Sequence, residues 1–142
     1  MLKVAGENVE KADVRSQISL ELIDAKAMPY PDNYFDMVIS NSIIHHLPAP
    51  LPFLREVQRV LKPNGAIFLR DLLRPEDERI RDNLVERYAG DCNEHQKQLF
   101  RDSLQATFTL GEVETTIQNA GLDGLRIYAS SDRHWTAELV WS

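Results

Sequence analysis

The 142-residue sequence has one cysteine, no GxG triplet, no basic run of five residues and no apolar run long enough to cross a bilayer. Each shortage removes a class of protein. A lone Cys92 excludes an internal disulfide and a cysteine-rich metal framework, which suits a reducing compartment. Set in the polar string GDCNEH, it reads as an ordinary cysteine and not as a nucleophile. The six glycines, at positions 6, 65, 90, 111, 121 and 124, stand singly, so neither a dinucleotide fingerprint nor a P-loop is written here. No GxSxG elbow for a serine hydrolase occurs. A formal charge of −6 and a pI near 5.2 argue against nucleic acid as partner and leave a small molecule or another protein. With neither a signal peptide nor a bilayer-length segment, the expectation is a soluble cytoplasmic protein without membrane contact.

What is present fits a single domain over residues 1–142, since 43% hydrophobic and 27% charged residues are ordinary for a globular chain. Leu2, Ala5, Val9 and Ala12 recur at helical spacing, so a helix is already running at Met1 with no capping residue before it. ISLELID alternates and predicts a strand ending at Asp24. YFDMVIS and AIFLRD are continuous apolar runs, the pattern of strands buried on both faces of a parallel sheet. Between them Leu51, Leu54, Val57, Val60 and Leu61 stripe a helix that KPNG stops. The charged stretch 76–87 predicts another helix, with Asp77 and Arg81 on a solvated face. In FTLGEV, Thr109 and Glu112 form a capping box, Phe108 and Val113 a hydrophobic staple, and Gly121 closes the helix they open. LRIYAS and HWTAELVW then read as an antiparallel hairpin with Trp135, Ala137, Leu139 and Trp141 on its apolar face and His134 on a solvated one. This order implies a three-layer α/β domain whose mostly parallel sheet ends in an antiparallel hairpin.

In such a sheet ligands bind beyond the carboxyl ends of the strands, which selects Asp24 with Ala25, Ser40 with Asn41, and Arg70 with Asp71. Each also has a local reading as a turn or cap residue. The adjacent His45 and His46 in SNSIIHHLP point different ways in helix or strand, so they are not a chelating pair and no metal is expected. Either imidazole can serve as a general base, or as a buried ring bonded to backbone. Tyr88, Phe100 and Phe108 can wall a pocket or simply pack between helices.

The string DAKAMPYPDNYFDMVISNSIIHHLPAPLPFLREVQRVLKPNGAIFLRD resembles the central part of class I S-adenosylmethionine-dependent methyltransferases of the small-molecule type, whose pattern is D…LPF…FD.V…HH…E..RVLKPGG…D. The resemblance implies a Rossmann-like fold with sheet order 3-2-1-4-5-7-6 and methyl transfer to a small-molecule acceptor. It places Asp24 and Ala25 at the cofactor's adenine, Ser40 and Asn41 near its sulfonium, and His45, His46 and Asp71 on the catalytic, acceptor side. Asn64 stands where the family has glycine, a change that a left-handed turn tolerates. Phe35, Asp36, Arg55, Glu56 and Arg59 read as structural.

The family's opening strand, glycine-rich loop, helix and second strand have no counterpart here. The resemblance therefore implies an N-terminally truncated, partial domain, its carboxyl-terminal two-thirds, which binds S-adenosylmethionine weakly or not at all by itself. Loss of strands 1 and 2 predicts that SLELID and DMVIS pair directly, or that a second copy or the missing N-terminal segment fills the gap. The alternatives are half of a two-chain enzyme, or a noncatalytic interaction module that keeps the scaffold.

Overall fold

The computed structural model describes residues 1–141, leaving Ser142 outside the described residues. Five helices and four strands follow one another: α1 (Leu2–Lys11), β1 (Phe35–Asn41), α2 (Leu51–Val60), β2 (Leu61–Leu72), α3 (Glu78–Ala89), α4 (Glu94–Ala106), α5 (Leu110–Asn119), β3 (Arg126–Ala129) and β4 (His134–Leu139). The strands form one mixed sheet in the order β1-β2-β4-β3. β1 and β2 are parallel, and β4 runs antiparallel to both β2 and β3. The four strands match the 4-5-7-6 half of the expected order.

The principal core forms where Val57, Phe53 and Leu54 of α2 and Val113 and Ile117 of α5 meet Ile67, Leu69, Trp135 and Ala137 of the sheet. In β2 this face takes the odd residues, because side chains alternate along a strand. A second cluster joins Leu72 to Leu84, Val85 and Ala89 of α3 and Leu104 of α4, with Phe100 packed against it. The opposite face of the sheet is barer: in β1, Met37 is 37% exposed and Ile39 65%.

Local chemistry explains most boundaries. Thr109 and Glu112 make the reciprocal capping box of α5, and Asn93 with Gln96 makes a second one at α4. Asp77 is a cap too, exposed and accepting the Ile80 N–H, while Arg81 pairs with Glu78 and Asp82. The KPNG segment lies inside β2 as a bulge, where the register jumps from Phe35↔Leu61 to Met37↔Ala66. Asn64 there has φ 64°, the left-handed conformation expected of it. Gly65 follows because an added Cβ would stand 2.9 Å from the Asp36 carbonyl oxygen.

Three further expectations fail. Residues 18–24 do not form a strand, and no ladder joins them to β1. Alternation supplies a face but not a hydrogen-bonding neighbour, and Leu22 is left 87% exposed. The hairpin's second face is not solvated: Thr136 is 1% exposed and His134 is half-buried. Trp141, past the end of β4, is 63% exposed rather than in the core, its indole N–H donating to the Asp36 carbonyl.

Candidate functional site

β1 ends at Asn41, and the next residue reverses the chain: Ser42 has φ 58° and donates its N–H to the Arg70 carbonyl at 2.9 Å. A single 3-10 turn over Ile44–His46 follows. Ile44, 2% exposed, plugs into the core and fixes that turn. His45 is thereby delivered onto Asp71, near the end of β2.

Asp71 is fully buried. Its Oδ2 accepts the His45 backbone N–H at 2.9 Å, and its Oδ1 accepts the Leu72 N–H at 2.7 Å. Oδ1 also lies 2.6 Å from His45 Nδ1. A carboxylate only accepts, so this contact assigns a proton to Nδ1, and in the neutral ring Nε2 is then the lone-pair nitrogen. Such short, charge-assisted bonds fix ring orientation as well as tautomer. The His45 side chain is 6% exposed, and Nε2 has no protein hydrogen-bond partner among the described residues. His46 is exposed, with its ring centroid 4.0 Å from that of His45.

The structure thus brings His45, His46 and Asp71 together. Ser40 and Asn41 are separated by the alternation of β1. Ser40 is buried opposite Leu69, on the Asp71 side of the sheet, and exposed Asn41 lies opposite Arg70 on the other side. Asp24 is exposed in a turn, where the Lys26 side chain and then its backbone N–H hold the carboxyl below its ordinary range. Ala25 beside it is half-buried against the α2–α5 core. The hydrogen bonds of Asp24 come from Lys26, not from the His45–Asp71 pair.

Two residues read as structural from the sequence, Glu56 and Arg59, organise the neighbouring loop. Glu56 Oε2 accepts the Met28 N–H at 2.7 Å, and Arg59 donates to the carbonyls of Met28 and Tyr30 and to Asp32. The two also pair with each other, and Arg59 holds the Glu56 carboxyl down to about 2. Together they moor the loop after Ala25 to α2, in keeping with their structural reading. Across the sheet, Ser131 and Arg70 approach His134 Nδ1 at 2.9 and 3.3 Å. Burial, then the charges of Arg70 and Arg133, push that imidazole below its ordinary value. Tyr88 lies under the Arg133 guanidinium, 3.4 Å from its ring centroid, and donates its hydroxyl to Asp132.

Among the described residues no helix is long and apolar enough to cross a membrane, and no group of three or more His, Cys, Asp or Glu could hold a metal ion.

Comparison with known proteins places the geometry in context. Residues 1–69 match the family described as Methyltransferase domain. The chain is 31% identical over 120 residues to 27-O-demethylrifamycin SV methyltransferase of Amycolatopsis mediterranei, covering 84% of this chain and 40% of that one. It is 42% identical over 77 residues to demethylmenaquinone methyltransferase of Listeria welshimeri, covering 53% and 31%. It therefore spans well under half the length of these curated relatives. Among solved structures, an S-adenosylmethionine-dependent methyltransferase from Aquifex aeolicus superposes over 94% of this chain and 60% of its own, with TM-score 0.62 at 20% identity, a likeness of fold.

Proposed function

Starting from a chain that belongs to the class I S-adenosylmethionine-dependent methyltransferases, we propose that these residues form the acceptor side of a methyl-transfer site for a small-molecule substrate. The observation that carries this reading is the oriented His45–Asp71 pair beside the carboxyl ends of two parallel strands. The cofactor is S-adenosylmethionine, whose sulfonium supplies an electrophilic methyl group. The donor set on this chain suits it: Asn41 is exposed at the strand end, Ser40 lies next to it, and Asp24 with half-buried Ala25 offers an acceptor beside an apolar surface for a purine.

His45 Nε2 is the group that takes the acceptor's proton. Asp71, through Nδ1–H, keeps that lone pair aimed and stabilises the imidazolium that proton uptake creates. Asp71 is thus a positioning residue, and exposed His46 lines the approach to His45. Methyl transfer needs reactants held close and dry more than it needs covalent chemistry, so the buried face under His45 supplies the water-excluded wall. Cytoplasmic location and a role in small-molecule rather than nucleic-acid methylation accord with the acidic charge.

The cofactor's glycine-rich loop has no GxG counterpart in these 142 residues, so binding by this chain alone is expected to be weak. Isothermal titration with S-adenosylmethionine tests this, and micromolar affinity would refute it. The assignment of the base is tested in the longest polypeptide in which these residues are encoded. There His45→Ala is expected to lower methyl transfer about 10²–10⁴-fold, with the loss smallest at high pH where the acceptor ionises unaided. Transfer unchanged at all pH values would sink the assignment, and transfer by the intact polypeptide independent of S-adenosylmethionine would sink the reading as a whole.

A further inference from the structure

The sheet has two outer edges, and they are finished differently. β3 is four residues long and carries Arg126, which pairs with Glu138 and stacks on Tyr128, the short, charged form that discourages strand addition. β1 is seven residues long and contains no Lys, Arg or Pro. Its one charge, Asp36, is held by Lys62 at 2.7 Å.

β1 bonds β2 through its even residues. The Asp36 carbonyl faces Gly65 of β2, and the Ser42 N–H just past β1 donates to the Arg70 carbonyl. Main-chain groups alternate in direction along a strand, so the N–H and C=O groups of Phe35, Met37, Ile39 and Asn41 point away from β2. Among the described residues no strand pairs with them. The same stretch carries the exposed side chains of Met37 and Ile39, so this edge is open and apolar together.

The strand's own sequence fits this edge. Antiparallel pairing of two copies about a two-fold axis at Val38 overlaps all of β1, because Phe35 and Asn41 are equidistant from that residue. Met37 then stands opposite the second copy's Ile39 and exchanges both main-chain hydrogen bonds with it, as Phe35 does with the second copy's Asn41. Asp36 faces the second copy's Ser40, so no carboxylate meets a carboxylate. Centring the pair on Met37 or Ile39 instead leaves two residues of each β1 outside the overlap. We infer that the 142-residue chain forms a two-fold dimer by antiparallel β1–β1 pairing, which joins the two sheets into one and packs Met37 and Ile39 of both copies together on one face. The inference does not rest on methyl transfer, since assembly is read without cofactor or acceptor.

Sedimentation velocity of this chain is expected to show a monomer–dimer equilibrium between about 2 and 200 µM, the range of a small interface. Ile39→Lys, at an exposed position, is expected to raise the dissociation constant at least about tenfold. Leu99→Lys on α4, also at an exposed position, is expected to leave it unchanged. Register is read with Val38→Cys in a Cys92→Ser background. The two Val38 residues form a non-hydrogen-bonded pair with Cα atoms about 4.5 Å apart, within disulfide range, so mild oxidation is expected to give a covalent dimer. Should Val38→Cys fail to fold, the comparison of Ile39→Lys with Leu99→Lys decides. A chain that stays monomeric to about 200 µM, a dimer indifferent to Ile39→Lys, or a folded Val38→Cys chain that does not cross-link would each overturn the inference. The second of these results would seat the partner on another surface, such as the one around exposed Leu22.

Discussion

Residues 1–24 and residues 35–139 obey the same sequence rules and reach different ends. Both carry apolar periodicity, yet no residue of the first stretch is buried, while the second encloses Val57, Leu69 and Ala137 completely. In β2 the Ile67–Leu69 alternation meets strands on both sides; in residues 18–23 the same alternation meets none. Periodicity tells which face of a segment is sticky. Burial requires a second surface, and the hydrophobic effect rewards only area removed from water.

The contrast can be broken by mutation. Leu69→Ala, or Leu104→Ala in the second cluster, is expected to cost about 2–5 kcal/mol in urea unfolding, while Leu22→Ala stays within about 0.5 kcal/mol. Equal losses would erase the distinction between the regions. Asp71→Asn comes next, because the amide must turn a donor toward one of three N–H groups; a loss of about 1–3 kcal/mol is expected, and ¹⁵N shifts should show His45 losing its fixed Nδ1–H tautomer. Glu56→Gln sharpens the comparison at the boundary of the two regions. The folded carboxyl sits at about 2 against an ordinary 4.5, so its contribution is complete above about pH 4.5 and is lost as pH falls through about 2. The Gln variant should flatten that acid limb of a stability–pH profile and expose the 28–32 loop to hydrogen exchange. Thr109→Ala, removing the α5 cap, is the smallest core-side effect at about 1 kcal/mol.

These regions also divide what could be read from the sequence. The Thr109–Glu112 box and the terminal hairpin were legible because each is decided within a few residues. The strand over 18–24 was not, since its existence depends on a neighbour. Trp135 and Trp141 share parity but not fate, because β4 stops at Leu139 and face assignments lapse beyond it. At the candidate site, His45, His46 and Asp71 could each be picked from their place after apolar strands. The bond between His45 and Asp71 could not, because it spans 26 residues and rests on the positive φ of Ser42, a position held by an ordinary-looking serine. Glu56 and Arg59 could be read as structural, but not what they hold, because they bond backbone atoms of Met28 and Tyr30, which leave no imprint on residue type.

His45 is tied to Asp71 twice, once through its ring and once through its own backbone N–H. The second tie belongs to the main chain and survives any side chain except proline. Position 45 is therefore an exchangeable socket: for any residue but proline, the main-chain tie to the Asp71 carboxylate is kept. Unnatural imidazoles of graded basicity can be presented to the same point in space. A Brønsted series measured at that one position would then report proton affinity alone, free of the loop rearrangement that usually confounds such substitutions.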